Sequence, residues 1–408
     1  MLTPYRRLFT VPHLPAVVIW ALLARLHMTC TSISLTFLVA DWTGSYARAG
    51  LVVAAIIFGW GVGGPVRGRA IDRGNPARQL LVTGLLYTVG IGALALLPAS
   101  YWPVAPVIAF LTGLTVPAAG QVGRAMYPRL AHGPALHAAY TAEATFQELL
   151  FLTGPVAAAG MVALAGPRAA LGMVAVLALG GTLGFVVVLR RVGDRALPRP
   201  VTEQDHTGRL LAVPGLGLAV LASLLVVAAF STVDLALVAW ARDRGSPALA
   251  GVLVAVLATG SLLGGLVSGG LRGTREPRLW LRTLCVALGL GAVAFTLPPF
   301  AGLDAPLLVM AVLFLGGLFL APAAATSNAL IGRLAPDHRR AEVFGWAATA
   351  RTTGAAVAAP VAGVLMDTSG PSLAAVTGCA LALLAVLAAA FITVPAPVPA
   401  MSPAERVP

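Results

Sequence analysis

One stretch of the chain occurs twice. Residues 44–68 read GSYARAGLVVAAIIFGWGVGGPVRG, and residues 245–269, which lie 201 positions later, read GSPALAGVLVAVLATGSLLGGLVSG. Twelve of the 25 aligned positions are identical and the alignment needs no gap. A second match, Arg129–Ala131 with Arg333–Ala335, lies at an offset of 204. The repeat indicates that a unit of about 200 residues was duplicated in parallel.

The composition indicates a membrane protein. Of the 408 residues, 58% are hydrophobic and only 10% are charged, and the mean hydropathy is +0.90. Soluble proteins carry roughly 25% charged residues, so this chain has too few to cover a soluble surface. The net charge of +12 is spread in short arginine clusters between apolar runs, which argues against nucleic-acid binding.

The sequence lacks the signature residues of several classes of enzyme. All 27 basic residues are arginine, so neither a P-loop nor a Schiff-base lysine is available. The motifs HExxH, CxxC and the calcium loop DxDxDG do not occur. Cys30, Cys285 and Cys379 all lie inside apolar runs, which favours neither a metal site nor a disulfide framework. We therefore expect no catalytic residues, no metal and no enzymatic activity.

Twelve apolar runs approach or exceed the roughly 20 residues that a helix needs to cross a bilayer. We number them spans 1 to 12, at residues 14–40, 46–66, 80–99, 103–127, 138–165, 169–190, 213–240, 248–270, 279–298, 305–332, 343–366 and 372–394. Span 1 is interrupted by Arg25 and His27, and a cleaved signal peptide is the alternative there. We favour a retained helix, because no convincing cleavage site follows.

The arginines predict the orientation of the spans. Twenty-one arginines fall in the segments on the N-terminal side of the membrane, four fall on the other side, and two lie within spans. Because positive loops stay in the cytoplasm, we expect both termini to be cytoplasmic in a multi-pass protein of the inner (plasma) membrane. If one span were missed, every later loop would lie on the opposite side of the membrane and the arginine bias would disappear. The bias therefore also supports an even number of spans.

The duplication and the spans together predict an all-α polytopic membrane protein with two parallel six-helix repeats. The expected divisions are an N-terminal bundle, a cytoplasmic central loop, a C-terminal bundle and a disordered Pro-rich tail, at 1–190, 191–212, 213–394 and 395–408. Two such repeats place a binding site between them near the middle of the membrane, and rocking of the halves exposes it alternately.

The loop after span 2 carries the sharpest motif. Residues 68–78 read GRAIDRGNPAR, which resembles the signature Gly-x-x-x-Asp-Arg-x-Gly-Arg-Arg of the major facilitator superfamily. Gly68, Asp72 and Arg73 match in register, and the twelve spans resemble the family over essentially the whole chain. The resemblance implies a secondary transporter in which Asp72 and Arg73 latch the cytoplasmic gate.

A physical account supports the same latch. Asp72 can dock on the positive N-terminus of span 11, near residues 341–344. The alternative is a solvated, positively charged loop with a turn at Gly74–Asn75.

In span 5, Gly154 and Pro155 with Gly160 resemble the core of a motif associated with drug/proton antiporters. The resemblance implies efflux, and the alternative is an ordinary helix kink. The arginine that those exporters often carry in span 4 has no counterpart at residues 108–110.

Five charged residues lie within spans, namely Arg25, Glu143, Glu148, Asp234 and Arg351. Each costs roughly 2.5–3.5 kcal/mol near the bilayer centre, so each should face the interior and find a partner. Counting depth along the helices predicts an Arg25–Glu148 pair, with Arg351 as the alternative partner. In one interpretation Glu148 changes protonation during transport and Arg25 tunes its pKa. In the other, the pair permanently fixes the packing of spans 1 and 5.

Polar and aromatic residues of spans 1, 4, 5, 7, 10 and 11 are candidates for a substrate cavity. They are His27, Gln121, Arg124, Gln147, Phe230, Asn328 and Trp346. His27 lies about 200° around the helix from Arg25, so for this residue we favour a hydrogen-bonded histidine that packs one helix against another.

These observations predict a secondary active transporter that exports a small amphipathic molecule. We expect an ion gradient, of protons, as its energy source, with no cofactor. The expected partners are a small-molecule substrate and the lipid bilayer, and we expect a monomer. The alternatives are uptake of a polar metabolite, a polytopic membrane enzyme and a non-transporting scaffold.

Overall fold

The computed structural model is helical throughout the part of the chain that it describes, residues 8–193, 210–244, 247–270, 278–297 and 306–392, and this part contains no strand. Ten helices are long and apolar enough to cross a membrane. The longest, Gly133–Val192, is broken at Gly166 and supplies two spans. The more polar helix Arg340–Ser369 completes the predicted twelve.

Three spans consist of two helices each, while spans 5 and 6 share one continuous stretch. The helices of spans 1 to 6 are Leu14–Leu23 with Leu26–Thr43, Tyr46–Arg73, Pro76–Leu96, Ala105–Leu114 with Ala119–Leu130, and Gly133–Val192. Those of spans 7 to 12 are Leu216–Asp243, Pro247–Gly270, Leu279–Thr296, Pro306–Gly317 with Leu320–Leu334, Arg340–Ser369 and Pro371–Ala390. The predicted tail, 395–408, and all but the ends of the central loop, 191–212, lie outside the described residues.

The two halves use the same turn between their last two spans. Gly166 has φ 85° and ψ 170° and is followed by Pro167, and Gly370 has φ 82° and ψ 172° and is followed by Pro371. Only glycine adopts this backbone region readily. The two glycines are 204 positions apart, so this turn is part of the duplicated unit.

The identical glycines of the repeated stretch pack against equivalent helices. A Cβ on Gly59 would come closer than 3.0 Å to the backbone of Phe110 and Gly113 in span 4. A Cβ on Gly260 would come equally close to the Phe314 carbonyl in span 10. Because backbone atoms cannot move aside, only glycine fits at these crossings. The duplication predicted from sequence is therefore visible as duplicated packing.

A second pair of identical glycines joins the halves to each other. Gly64 of span 2 lies against Gly345 and Thr349 of span 11, and Gly265 of span 8 lies against Thr145 of span 5. Thr145 and Thr349 are again 204 positions apart. The two contacts are thus related by the symmetry of the repeat.

The apolar core shows where the halves meet. We call the membrane face at which span 1 begins the N-side. A core cluster that includes Leu14, Leu189, Leu216, Leu334 and Phe344 lies at the N-side ends of helices from both halves. Towards the opposite face the described core divides into two clusters, one in each half. The halves are therefore closed against each other on the N-side.

Replacing Gly59 or Gly260 by alanine should destabilise the protein by about 1–3 kcal/mol or more, because the new methyl overlaps the backbone of the neighbouring span. Gly92→Ala in span 3 is the matched control, since nothing lies within 4 Å of its Cβ position. Thermal unfolding of the purified variants in detergent measures the difference. Equal midpoints for all three variants would contradict this account of the repeat.

Candidate functional site

A buried carboxylate lies between two guanidinium groups inside the N-terminal half. Glu143 of span 5 has an exposed side-chain fraction of only 1%, and its Oε1 lies 2.9 Å from Arg25 Nη2 and 3.0 Å from Arg124 Nη2. Arg124 Nε also donates to Glu143 Oε2 at 3.2 Å. Both oxygens of the carboxylate are therefore committed to spans 1 and 4.

Breaks in two helices position these arginines. Arg25 lies between the two helices of span 1, and its Nε donates to the Ala21 carbonyl at 3.1 Å, which turns the side chain back towards the N-side. Gly120 makes room for the guanidinium, because a Cβ there would lie 2.9 Å from Arg25 Nη1. Arg124 lies on the second helix of span 4, which begins at Ala119.

The predicted Arg25–Glu148 pair is wrong. The sequence prediction starts span 5 at residue 138, whereas the helix begins at Gly133. Glu143 therefore lies as deep in the membrane as the sequence prediction places Glu148. The Arg25 side chain also turns back towards the N-side, which moves its charge away from Glu148 and towards Glu143. Glu148 is instead hydrogen-bonded to Ser261 of span 8, in the other half.

Arg351 reaches the same region from the C-terminal half. Its Nη1 donates to Asn328 Oδ1 at 3.4 Å, and its charge interacts with those of Arg124, Glu143 and Arg25. We call these four charged residues and Asn328 the central cluster. It lies between spans 1, 4 and 5 of one half and spans 10 and 11 of the other.

The second group of polar contacts closes the N-side. Asp72 Oδ1 accepts from the Ala341 amide at 3.0 Å and Oδ2 accepts from the Glu342 amide at 2.7 Å. These amides belong to the first turn of the helix that begins at Arg340, where N–H groups have no partner in their own helix and the helix dipole is positive. Gly68 permits the approach, because a Cβ there would overlap the backbone of Ala341 and Glu342. The contact predicted for Asp72 is present.

The arginine beside this contact is Arg69, which the sequence analysis missed. Arg69 Nη2 lies 2.7 Å from Glu342 Oε1, and Arg339 Nε lies 3.0 Å from Glu342 Oε2. Arg73 is exposed, and among the described residues it makes no hydrogen bond or salt bridge with span 11, so the structure places Arg69 rather than Arg73 at this contact. Arg69 lies almost one turn before Asp72 and therefore shares its face of span 2. We call Gly68, Arg69, Asp72, Ala341 and Glu342 the latch.

Comparison with known sequences decides the family. The profile of the Major Facilitator Superfamily matches residues 17–304 and 219–407, and together these matches cover most of the chain. The chain belongs to the major facilitator superfamily. It is therefore a multi-pass membrane protein of a transporter family, and this membership supports a transporter rather than an enzyme. None of the curated proteins matches the sequence significantly.

Solved structures of this superfamily share the fold at low sequence identity. A bacterial homologue of the iron transporter ferroportin in an outward-facing state has a TM-score of 0.75 and 17% identity, over 92% of this chain and 98% of its own. The proton:xylose symporter XylE has 0.68 and 15%, over 91% and 94%. The human organic anion transporter MFSD10 has 0.69 and 15%, over 94% and 99%. The twelve-span superfamily fold is confirmed.

Within this superfamily fold, His27 faces away from the space between the halves. Its ring is fully buried, and its centroid lies 4.9 Å from that of Tyr87 in span 3. His27 thus packs span 1 against span 3 within the N-terminal half, and its assignment to the cavity is wrong.

The other cavity candidates differ in their surroundings. Gln121 is buried, and its Nε2 donates to the Gly64 carbonyl at 3.4 Å, where spans 2 and 4 meet. Gln147 is half-buried and lies one turn beyond Glu143 on span 5. Trp346 packs against the core cluster that joins the halves.

The candidates of span 7 lie in the C-terminal half. Phe230 packs against the core of that half, and Asp234 follows one turn later and is half-buried. A role for either in a cavity stays a prediction.

Gly154 and Pro155 hold span 5 against span 1. A Cβ on Gly154 would overlap the Thr29 side chain, and the Gly154 carbonyl accepts from Cys30 Sγ at 3.3 Å. The backbone remains helical through Pro155. Gly154 therefore serves close packing within one half, and a conformational role for Gly154 and Pro155 stays a prediction.

Arg67 is a buried residue that the sequence analysis placed in a loop. Its Nη1 donates to the Leu114 carbonyl at 2.7 Å and its Nη2 to the Trp60 carbonyl at 2.9 Å. Leu114 is the last residue of the first helix of span 4, whose carbonyls have no helical partner and carry the negative end of the dipole. Pro117, just past this break, was the available signal in the sequence.

Glu143→Gln should destabilise the protein by about 3–5 kcal/mol, because two buried guanidinium groups lose their shared counter-charge. Asp337→Asn is the matched control. Asp337 is 64% exposed and pairs with Arg340 at 2.7 Å, and such surface pairs contribute at most about 1 kcal/mol. Thermal unfolding in detergent compares the two variants with the parent. A Glu143→Gln midpoint as high as that of Asp337→Asn would show that the charges are compensated elsewhere.

Proposed function

We propose that this transporter works by alternating access and exports a small amphipathic molecule in exchange for protons. The observation that carries the proposal is the arrangement of the contacts between the halves. A shared core and the latch close the N-side, while the described core is divided in two beyond the central cluster. Rocking about the Gly64 and Gly265 crossings would open one side as it closes the other.

The arginine distribution supports placing the N-side, and with it both termini, in the cytoplasm of a cell whose inner membrane holds the protein. The structure places Arg67 and Arg124 inside spans, so they no longer belong to the 21 arginines counted on the N-side. Nineteen arginines remain there, against four on the other side. In this orientation the central cluster is closed to the cytoplasm. Because one chain supplies both halves, a monomer suffices for the cycle.

The latch suits a gate that must both hold and release. Asp72 satisfies two helix N-terminal amides in the closed arrangement, and Arg69 adds an ion pair with Glu342. When the halves separate on the N-side, water can replace these partners at both surfaces. The latch can therefore favour the closed state by a few kcal/mol without making it permanent.

Glu148 is the carboxylate that suits proton coupling best. It is half-buried and bonded across the halves to Ser261, whose Oγ accepts from the Ala321 amide at 3.1 Å. Thr145, almost one turn earlier, lies at the Gly265 crossing. A proton on Glu148 would change what the carboxyl group can accept or donate at this contact, so its protonation can bias the rocking. The low-identity structural neighbours include carriers of iron, xylose and organic anions, so the fold alone selects no substrate.

Asp72→Asn should open the N-side. The amide NH₂ of asparagine turns a donor towards an N–H donor of span 11, and we expect the N-side-open population to rise roughly 10-fold. Spin labels on cysteines that replace the exposed Arg73 and Asp337, with the native cysteines removed, report the distance between the halves. Asp41→Asn, an exposed carboxylate at the far end of span 1, is the control. Unchanged distance distributions in Asp72→Asn would refute the gate.

Glu148→Gln should uncouple protons from transport. In liposomes with an imposed pH gradient and an internal pH dye, amphipathic compounds should discharge the gradient through the parent protein and through Asp41→Asn, but not through Glu148→Gln. The direction of the proton flux separates exchange from co-transport. Equal discharge by Glu148→Gln would leave Glu148 as a structural contact of span 8.

A further inference from the structure

The central cluster carries more positive than negative charge. It contains three guanidinium groups and one carboxylate, and Glu143 already binds Arg25 and Arg124 with both of its oxygens. Asn328 is the one hydrogen-bond partner of Arg351 in the described part of the chain, and it is uncharged and 3.4 Å away. A guanidinium has five N–H donors, so most of those on Arg351 lack an acceptor among the described residues.

Exposure shows which charge a ligand would meet. Glu143 is 1% exposed, whereas Arg351 is half-buried and lies at the junction of the two halves. In the described part of the chain neither Glu148 nor Asp234 forms a salt bridge with Arg351. A molecule that reaches the central cluster therefore meets the Arg351 guanidinium rather than the Glu143 carboxylate.

We propose that the substrate is an amphipathic organic anion, such as a carboxylate or sulfonate, whose charged group binds Arg351 and Asn328. This inference deepens the proposed transport function and rests on it. Arg25 and Arg124 add positive potential behind the site while Glu143 holds them in place. An anion would supply the acceptors that Arg351 lacks, through the bidentate geometry that guanidinium groups favour. It would also offset the cost of a positive charge held inside the membrane.

Asn328→Asp tests the inference before any substrate is known. The new carboxylate would stand at the Arg351 guanidinium and take the place of the anion. We expect the ligand-free variant to unfold at a higher temperature than the parent, while the uncharged control Asn328→Ser does not. A lower or equal midpoint for Asn328→Asp would mean that Arg351 already has its compensation, and would overturn the proposal.

Binding to matched probes gives the second readout. The probes are 2-naphthoate, 2-naphthamide and 2-naphthamidine, which share one ring system and are negative, neutral and positive. At millimolar concentration only the naphthoate should raise the unfolding temperature of the parent protein. Arg351→Gln should weaken this effect roughly 10- to 100-fold in Kd, Asn328→Asp should abolish it, and Arg190→Gln, which removes an exposed charge, should preserve it.

Failure of this inference can be told apart from failure of the transport mechanism. Binding is measured without transport, and the gate is measured by the spin labels described above. Suppose that the gate responds to Asp72→Asn but the neutral or positive probe stabilises the protein as much as naphthoate does. The transport mechanism is then retained and the anion site is refuted. The absence of any naphthoate effect refutes it equally.

Discussion

Close approach of helix backbones at span 2 is the constraint on which the other features depend. Gly59 brings this span against span 4, and Gly64 and Gly68 bring it against span 11. In a membrane the hydrophobic effect does not drive helices together, so small residues that permit tight packing decide which helices associate. Only at this distance can Asp72, with its short side chain, reach the amides of the span 11 N-terminus.

Buried charges in this protein are compensated in three different ways. Asp72 uses helix amides, Arg67 uses the carbonyls at a helix end, and Arg25 and Arg124 share one carboxylate. Each of these three arrangements depends on a helix that begins, ends or breaks beside the buried charge. Arg351 differs, because its helix is continuous around it and provides no such end. These charges stabilise the fold, whereas Arg351 is the charge that we propose binds a ligand.

The sequence was sufficient for features that depend on periodicity and composition. The twelve spans, the duplication and the docking of Asp72 on span 11 follow from apolar runs, identical residues and a charge near a helix start. The partner of Arg25 could not be predicted, because it depends on where a helix begins or breaks. A start of span 5 placed five residues too late predicts Glu148 instead of Glu143 as the partner of Arg25. Arg67 was misplaced for a related reason, since its acceptors exist only because span 4 is interrupted.

The glycine–proline turns at Gly166 and Gly370 have a mechanical consequence. A single non-helical residue connects spans 5 and 6, and the same turn connects spans 11 and 12, so neither pair has a flexible loop to absorb strain. The two helices of each pair are therefore expected to move together as one rigid unit. When span 5 or span 11 tilts, its partner must sweep through the surrounding lipid, so the thickness and stiffness of the bilayer become part of the energy of every transport cycle.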